Sequence, residues 1–255
     1  MGKTFDCLTE ERVAWLKQQK VFFVATAAGA GRINLSPKGH VEDTFAVLSP
    51  TRVAYLDFMG SGAETAAHTA SNSRITIMFV AFTGPPKIMR LHGHARVIRR
   101  DAAPEDLGAH FASFGFKGAR SVVVVDVDRF SDSCGFSIPQ MDYAEERTVL
   151  KDKIGKMTEE DIAGFILKWN SFSIDRLPSI GHRALGAPAP AVAARWEGGY
   201  WFGRTDLTAW ERVCSLVQRP KSHEGGCRRD LSMMCVGALA AALLIRCCAP
   251  ARLAH

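Results

Sequence analysis

The chain has 255 residues, of which 47% are hydrophobic and 23% are charged. This balance is typical of a globular protein and excludes a disordered, collagen-like or coiled-coil chain. The net charge of +6 is concentrated at the C-terminal end, where residues 218–255 hold six basic side chains against two acidic ones. Because the rest of the chain is close to neutral, we expect no nucleic-acid-binding surface on it.

Cysteine usage indicates a reducing compartment. Four of the seven cysteines lie in the last 29 residues, and no two cysteines have the CxxC spacing of a zinc site or a thioredoxin-type redox pair. The first residues lack the apolar core of a secretory signal. We therefore expect a cytoplasmic protein with reduced thiols.

The predicted elements begin with a helix that Thr9 caps and that runs to about Gln19. Six β-rich runs follow, and the segments between them are mostly too short for crossover helices. The runs are residues 21–26, 32–36, 51–58, 74–82, 87–99 and 121–130. This spacing predicts a mainly β fold with peripheral helices, a six-stranded antiparallel split barrel, because closure would remove exposed strand edges.

Three further helices and one boundary are predicted. The helices are expected at residues 64–70 and 104–114, and from Thr158, where Asp161 completes a capping-box pattern before an apolar stripe. The change in composition predicts one domain over residues 1–217, which ends in an aromatic segment, and a tail over residues 218–255.

The tail contains an uncharged run of 15 residues, 231–245, between basic residues. It is shorter than the ~20 residues that span a bilayer. An interfacial helix next to the acylatable pair Cys247-Cys248 is one interpretation, and a poorly ordered extension is the one we favour.

Two segments suggest where a ligand binds. Residues 32–39 (RINLSPKG) place two cations and a hydroxyl on a strand, and residues 55–65 form a strand, a Gly-Ser-Gly turn and a helix start. Free backbone N–H groups, hydroxyls and a nearby cation are suited to a phosphate. An ordinary tight turn with a capped helix is the alternative interpretation.

Four motifs in order carry a family resemblance: residues 32–39, residues 55–68 (YLDFMGSGAETAAH), residues 74–97 and residues 133–143 (SCGFSIPQMDY). Over residues 8–170 the chain resembles the FMN-binding split barrels related to pyridoxamine 5′-phosphate oxidase. The resemblance implies a homodimer with FMN at the subunit interface and an oxidoreductase that acts on an unidentified small molecule. The C-terminal Arg-x-His of the authentic oxidase has no match here, so pyridoxamine phosphate is not the expected substrate.

The resemblance also implies a set of cofactor-binding residues. They are Arg32, Asn34, Ser36 and Lys38 on the first strand, Tyr55 and Leu56 on the next, and Ser61, Gly62 and Thr65 at the turn. Where the oxidase has an Arg-Lys pair, this chain has Ala63-Glu64-Thr65. Neutralisation of the phosphate is therefore expected from Arg32 and Lys38, and Lys38 is also a candidate for the flavin pyrimidine edge.

Several alternatives stay open. His92 and His94 share a strand face and could bind a metal with His68 or His40, but an interface or solvent role is preferred, and no metal is predicted. Cys134 is interpreted as a small buried residue. No catalytic side chain is predicted, because hydride or electron chemistry belongs to the cofactor. The alternative functions are a non-catalytic module for a flavin or phosphoryl ligand, and a protein for a deazaflavin or haem-type ligand.

Overall fold

A computed structural model of the protein describes residues 2–29 and 31–184. The predicted tail at residues 218–255, its boundary at residue 217 and the aromatic segment before it lie outside these residues. The strands are β1 (Lys3–Phe5), β2 (Phe22–Ala27), β3 (Ile33–Lys38), β4 (Phe45–Ser49), β5 (Arg52–Phe58), β6 (Arg74–Val80), β7 (Ile88–Arg99) and β8 (Ala119–Ser133).

All eight strands form one antiparallel sheet, in the order β3-β2-β6-β7-β8-β5-β4, and β1 also pairs with β8. The fold class is mainly β with peripheral helices, as predicted. The expected six strands and closure into a barrel were wrong: the described sheet has eight strands, and β3 and β4 at its ends do not pair. The missed strands are β1, which has only three residues, and β4, which a short turn at Pro50 joins to β5.

Side chains, not backbone hydrogen bonds, bring the two ends of the sheet together. The ring of Phe22 in β2 lies 5.3 Å from the ring of Phe45 in β4 and 5.5 Å from that of Tyr55 in β5. Phe79 in β6 completes the group, with its ring 5.0 Å from Phe45. The sheet therefore curls around a core that contains these four buried aromatic rings.

The central strands are buried on both faces. In β5, Val53 and Tyr55 face the main core, whereas Ala54 and Leu56 face a second core under the loop that contains Phe111. The valines of β8 divide between the same two cores. Two-sided burial explains why these strands are continuous apolar runs in the sequence.

Seven helices lie around the described sheet: α1 (Glu10–Gln18), α2 (Val41–Thr44), α3 (Glu64–Asn72), α4 (Glu105–Gly108), α5 (Val149–Gly155), α6 (Glu159–Trp169) and α7 (Ile180–Ala184). The predicted caps are confirmed at Thr9 and at Thr158, where Asp161 completes the capping box. The helix expected at 104–114 is shorter: it ends at Gly108, against which the ring of Phe114 packs. None of these helices is long and apolar enough to cross a bilayer.

Gly93 lies where the pairing of β7 with β8 shifts register. A Cβ atom here would lie 2.0 Å from the carbonyl oxygen of Asp126 on the partner strand. We therefore expect Gly93→Ala to lower the free energy of unfolding by about 2–3 kcal/mol in urea titrations, because backbone must move. The control is Gly164→Ala in α6, where a Cβ meets nothing within 4 Å and helix propensity predicts a gain of up to about 1 kcal/mol. Equal effects of the two variants would contradict this account.

Candidate functional site

β3 carries the first group of predicted residues. Asn34, Ser36 and Lys38 alternate with the exposed Ile33 and Leu35, so they share the other, half-buried face of the strand. On that face the Ser36 hydroxyl donates a hydrogen bond to Asn34 Oδ1 at 3.1 Å. The structure thus brings three of the predicted side chains together along one line.

Asp57, near the end of β5, is the centre of a buried charge cluster. Lys38 Nζ lies 3.0 Å from its Oδ1 atom and Arg120 Nε lies 2.7 Å from its Oδ2 atom. Burial acts to raise the pKa of Asp57, but the charges and hydrogen bonds of Arg120 and Lys38 outweigh burial and lower this pKa to about 2. The carboxylate is therefore ionised at neutral pH, and the three groups carry a net charge of +1.

The predicted Gly-Ser-Gly turn is held from the inside by two side chains. Arg120 Nη1 donates to the carbonyl oxygen of Gly62 at 2.8 Å and to that of Gly60 at 3.4 Å. Asn170 Nδ2 donates to the same two oxygens, at 2.8 Å for Gly60 and 3.4 Å for Gly62. The charge cluster and the turn therefore form one connected unit through Arg120.

The segment 170–181, which follows α6, packs on the start of α3. The Ser179 hydroxyl donates to the carbonyl oxygen of Ala63 at 2.7 Å, and the N–H of Ile174 donates to Glu64 Oε1 at 3.3 Å. Several polar side chains of this segment are almost entirely buried. Contacts from a distant part of the sequence thus fix the turn on both sides.

The start of α3 carries an acidic side chain close to the turn. A Cβ atom on Gly62 would lie 2.7 Å from Glu64 Oε2, so this carboxylate lies against the turn. Ser61 is exposed, whereas Thr65 is buried. The predicted phosphate-binding turn thus has a negative charge beside it, in addition to the positive cluster behind it.

Arg32 is held by Asp175. The Arg32 backbone N–H donates to Asp175 Oδ2 at 2.6 Å, and its guanidinium forms an ion pair with Oδ1. Arg32 directly precedes β3 and Lys38 is its last residue. Their Cα atoms are therefore about 20 Å apart at the usual rise of a strand. In the structure each is paired with a carboxylate, and the expectation that both neutralise one phosphate stays a prediction.

Tyr55 and Leu56 point to opposite sides of β5. The Leu56 side chain is buried in the second core, so only its backbone is available to a ligand. Tyr55 is buried in the main core, and its hydroxyl makes no hydrogen bond of ordinary geometry with a described residue. Burial, and to a lesser degree the charge of Asp57, raise the pKa of Tyr55 well above 10. Thr65 and Arg120 lower this pKa by smaller amounts, so the hydroxyl remains protonated.

A line of polar groups connects β3 with α3. Asn34 Nδ2 lies 3.5 Å from the Thr26 hydroxyl, which lies 3.1 Å from Nδ1 of the fully buried His68. The other ring nitrogen of His68 has no partner among the described residues. Among the residues that the structure describes, the buried side-chain atoms without a partner are Tyr55 Oη, His68 Nε2, Ser121 Oγ, Asn170 Oδ1 and His182 Nε2. His68 lies in α3, and Asn170 holds the turn that precedes α3. Two of these unpartnered atoms, His68 Nε2 and Asn170 Oδ1, therefore lie near α3.

The histidines of β7 make hydrogen bonds with neighbouring hydroxyl groups. His92 Nδ1 lies 3.1 Å from the Thr76 hydroxyl, and His94 Nδ1 lies 2.8 Å from that of Ser73. Burial, then the charges of Arg129 and Arg90, lower the pKa of His92. Within residues 2–29 and 31–184, no three potential metal-binding side chains come together.

Cys134 is exposed, so its interpretation as a buried residue was wrong; the buried neighbour is Gly135. Cys134 lines a cavity of about 460 Å³ between α1, the loop at 83–87 and the end of β8. The Nζ atom of Lys87 covers the Trp15 ring in this cavity, 4.8 Å from its centroid. None of the predicted cofactor-binding residues lines this cavity.

Four functional residues were not predicted from the sequence: Asp57, Arg120, Asn170 and Asp175. Asp57 interrupts the apolar run of β5, and Arg120 lies in β8 just before its run of valines, so a charge next to a buried run was the available signal. Asn170 and Asp175 lie in a segment without any motif, and nothing local indicated their contacts.

The comparisons with known proteins establish the family. A family model described as pyridoxamine 5′-phosphate oxidase matches residues 8–134. The chain is also 36% identical over 219 residues to the pyridoxamine 5′-phosphate oxidase family protein ustO of Aspergillus flavus, and the match covers 78% of this chain and 87% of the relative. The chain therefore belongs to the pyridoxamine 5′-phosphate oxidase family.

Solved structures with similar folds match about half of the chain. HupZ from Group A Streptococcus is 21% identical, with 48% of this chain and 91% of that chain covered and a TM-score of 0.38. A FAD-binding protein from Mesorhizobium loti is 12% identical, with 52% and 99% covered and a TM-score of 0.33. The segment 170–181 lies beyond the residues that the family model matches.

Proposed function

We propose that this chain is a homodimeric flavoprotein that binds FMN beside β3 and the turn before α3, and that it acts as a cytoplasmic oxidoreductase on a small molecule. The observation that carries the proposal is the cluster in which Lys38, Asp57 and Arg120 connect the end of β3 to the Gly60–Gly62 turn. Membership of the oxidase family supports the flavin. The exposed free thiols of Cys7 and Cys134 are compatible with a reducing compartment.

The residues present fit a flavin in two respects. The half-buried line of Asn34 and Ser36 offers hydrogen-bonding groups for polar ring edges or ribityl hydroxyls, and buried polar atoms around α3 lack partners within residues 2–29 and 31–184. The positive cluster behind the turn favours an anionic group there. When bound, a flavin supplies the hydride or electron transfer.

The roles proposed for the protein's own residues are to bind the flavin, to orient it and to polarise its ring. Asp57 fixes the Lys38 ammonium by an ion pair at 3.0 Å, so that the charge is held at the end of β3. The Tyr55 hydroxyl remains protonated because burial raises its pKa, and it therefore remains a hydrogen-bond donor at all physiological pH values. These groups provide a fixed electrostatic environment for a ring that accepts negative charge.

A second candidate function is a module that binds a flavin or another phosphoryl ligand without turnover. It is favoured by the pairing of Arg32 with Asp175 and of Lys38 with Asp57, which leaves both predicted cations engaged before any ligand binds. A deazaflavin is a further ligand that the same site could hold. Absorption spectra distinguish these ligands, and reduction of the bound flavin by a nicotinamide cofactor, with reoxidation by oxygen, distinguishes turnover from binding.

Titration of the apoprotein with FMN tests the assignment of the site. Lys38→Ala is expected to weaken FMN binding by about 1.5–3 kcal/mol, the scale of a charge-assisted hydrogen bond. Lys87→Ala is the control, because Lys87 lies on Trp15 in the separate cavity, and this variant should bind FMN as the original protein does. Equal dissociation constants for the two variants would remove Lys38 from the site.

The outer face of β3 supports the homodimer. Ile33 and Leu35 are 77% and 63% exposed on a strand at the end of the sheet, and apolar side chains on an edge strand are typical of a contact surface. We expect a second copy of this chain to cover them. Leu35→Asp should convert a dimer into a monomer in sedimentation experiments, whereas Phe136→Asp, at an exposed site after β8, should leave the dimer intact. A dimer that tolerates Leu35→Asp would place the interface elsewhere.

A further inference from the structure

The cavity of about 460 Å³ between α1, the loop at 83–87 and the end of β8 has no part in the proposed flavin site. Its volume lies within the range of small-molecule sites, about 300–1,000 Å³. Trp15, Pro85 and Pro86 give it apolar walls, and the exposed thiol of Cys134 belongs to its lining. The cavity therefore combines space for a ligand with a group that can form a covalent bond.

Two opposite charges line this cavity without an ionic partner. Lys87 Nζ lies 4.8 Å from the centroid of the Trp15 ring, and Asp132 Oδ1 accepts the backbone N–H of Lys3 at 3.0 Å. Neither Lys87 nor Asp132 forms an ion pair with a side chain of residues 2–29 and 31–184. A zwitterion fits such a cavity better than an anion or a cation, because a single charge would leave one of the two groups unpaired.

Gln19 adds an unused acceptor to the same cavity. The residue is only 8% exposed, and its Nε2 atom donates to the carbonyl oxygen of Trp15 at 2.7 Å. Its Oε1 atom accepts no hydrogen bond from a residue that the structure describes. An ammonium group has three donors, and the Gln19 amide oxygen and the Asp132 carboxylate supply acceptors for it.

The Cys134 thiol lies next to the cation of this cavity. β7 and β8 pair Ile88 with Ser133, so one residue further along both strands Lys87 lies opposite Cys134. A Cβ atom on Gly135 would lie 3.1 Å from the backbone nitrogen of Lys87, so the two backbones approach closely here. A ligand whose carboxylate pairs with Lys87 therefore has its neighbouring atoms close to the thiol.

We propose that Cys134 is a modification site for the disulfide of a small amino-acid thiol, such as cystine. Lys87 binds the α-carboxylate, and Asp132 and Gln19 bind the α-ammonium group. The Cys134 thiolate attacks the nearer sulfur of the ligand, the S–S bond of the ligand breaks, and a new S–S bond to Cys134 forms. The released thiolate takes up the proton that Cys134 lost. Cys134 is oxidised and the released half is reduced, so the ligand itself is the oxidant.

Peptide mass spectrometry of the reduced, full-length protein tests this site with three disulfides. L-Cystine carries both charges on each half, cystamine lacks the carboxylates, and 3,3′-dithiodipropionate lacks the ammonium groups. Cys134 should react with cystine about tenfold faster than with either of the others, because each of them loses one charge-assisted contact.

Cys7 is the control within the same chain. It is also exposed and has a cation beside it, since Arg12 Nη1 donates to the Cys7 carbonyl oxygen at 3.3 Å. Cys7 does not line the cavity. Its reaction rates should therefore show no such preference for cystine.

Two variants separate the contributions of the charges. Lys87→Gln should slow the reaction of Cys134 with cystine about tenfold and leave that with cystamine unchanged. Asp132→Asn should also slow the reaction with cystine and leave that with dithiodipropionate unchanged. The matched control is Lys20→Gln, because Lys20 Nζ also lies over an aromatic ring, 5.1 Å from the centroid of Tyr143, but outside the cavity. This variant should keep the rates of the original protein.

Three outcomes overturn the inference. Two of them need no variant: equal rates of Cys134 with the three disulfides, or the same preference for cystine at Cys7. The third is a preference for cystine that persists in Lys87→Gln. None of these outcomes affects the proposed flavin site, which titration with FMN tests separately.

Discussion

Replacing Asp57 with asparagine is expected to lower the free energy of unfolding by about 3–5 kcal/mol, because the buried Arg120 guanidinium would lose its carboxylate. Asp126→Asn is the matched control: Asp126 also pairs with two arginines, Arg52 and Arg96, but it is half exposed. Exposed pairs contribute at most about 1 kcal/mol. Urea titrations at neutral pH measure both variants, and similar losses would contradict the role of burial.

The same carboxylate predicts a dependence of stability on pH. Its pKa is about 2 in the folded protein and near 3.8 when unfolded, so between these values the unfolded chain binds more protons. The stability that Asp57 contributes, about 2 kcal/mol, is therefore present above pH 4 and lost as the pH falls towards 2. The Asp57→Asn variant should therefore lose less stability than the original protein as the pH falls from 4 to 2. The same acid transition in both proteins would contradict this prediction.

Phe22→Ala is expected to destabilise the protein by about 3–5 kcal/mol, the usual cost of removing a buried phenyl ring. Phe22 is fully buried and its ring contacts Phe45, Tyr55 and Phe79, so the cavity would open where the two ends of the sheet meet. Phe23→Ala, one position along β2 on the outer face, is the control. Its expected cost is about 1 kcal/mol, since the ring is only half buried.

Urea titrations at one protein concentration measure both variants. A loss for Phe23→Ala as large as that for Phe22→Ala would show that the outer face, and not the aromatic group inside the curled sheet, determines stability.

The mainly β class could be predicted because most strands have their own apolar pattern. β5 and β8 are continuous apolar runs because two cores cover their faces, and this signal is local. β1 was missed because three residues are too few for any pattern, and β4 because Pro50 interrupted the apolar run that joins it to β5. Closure of the sheet into a barrel was wrongly predicted. Contacts between aromatic rings, rather than backbone hydrogen bonds, join the two ends of the sheet, and the sequence does not distinguish these two possibilities.

The candidate site was predictable only where it is local. The line of Asn34, Ser36 and Lys38 follows from strand alternation, and the turn before α3 follows from its glycines. The partners of these residues could not be predicted, because Arg120 lies 58 residues beyond Gly62 and Asn170 lies 110 residues beyond Gly60. Contacts at such separations depend on the complete fold, and for the same reason the capture of Lys38 by Asp57 was not anticipated.

The position of β8 in the sheet has a consequence during synthesis. β8 is hydrogen-bonded to β1, β5 and β7, so β1 obtains its neighbour, and β5 and β7 obtain their second neighbour, only when residues 119–133 have left the ribosome. About 60 residues separate the end of β5 from the start of β8, which corresponds to several seconds at about 5–20 residues per second. During that interval the apolar run of β5 is exposed along one edge of the nascent chain. We therefore expect the yield of folded protein to depend on the translation rate and on chaperones that bind extended apolar segments.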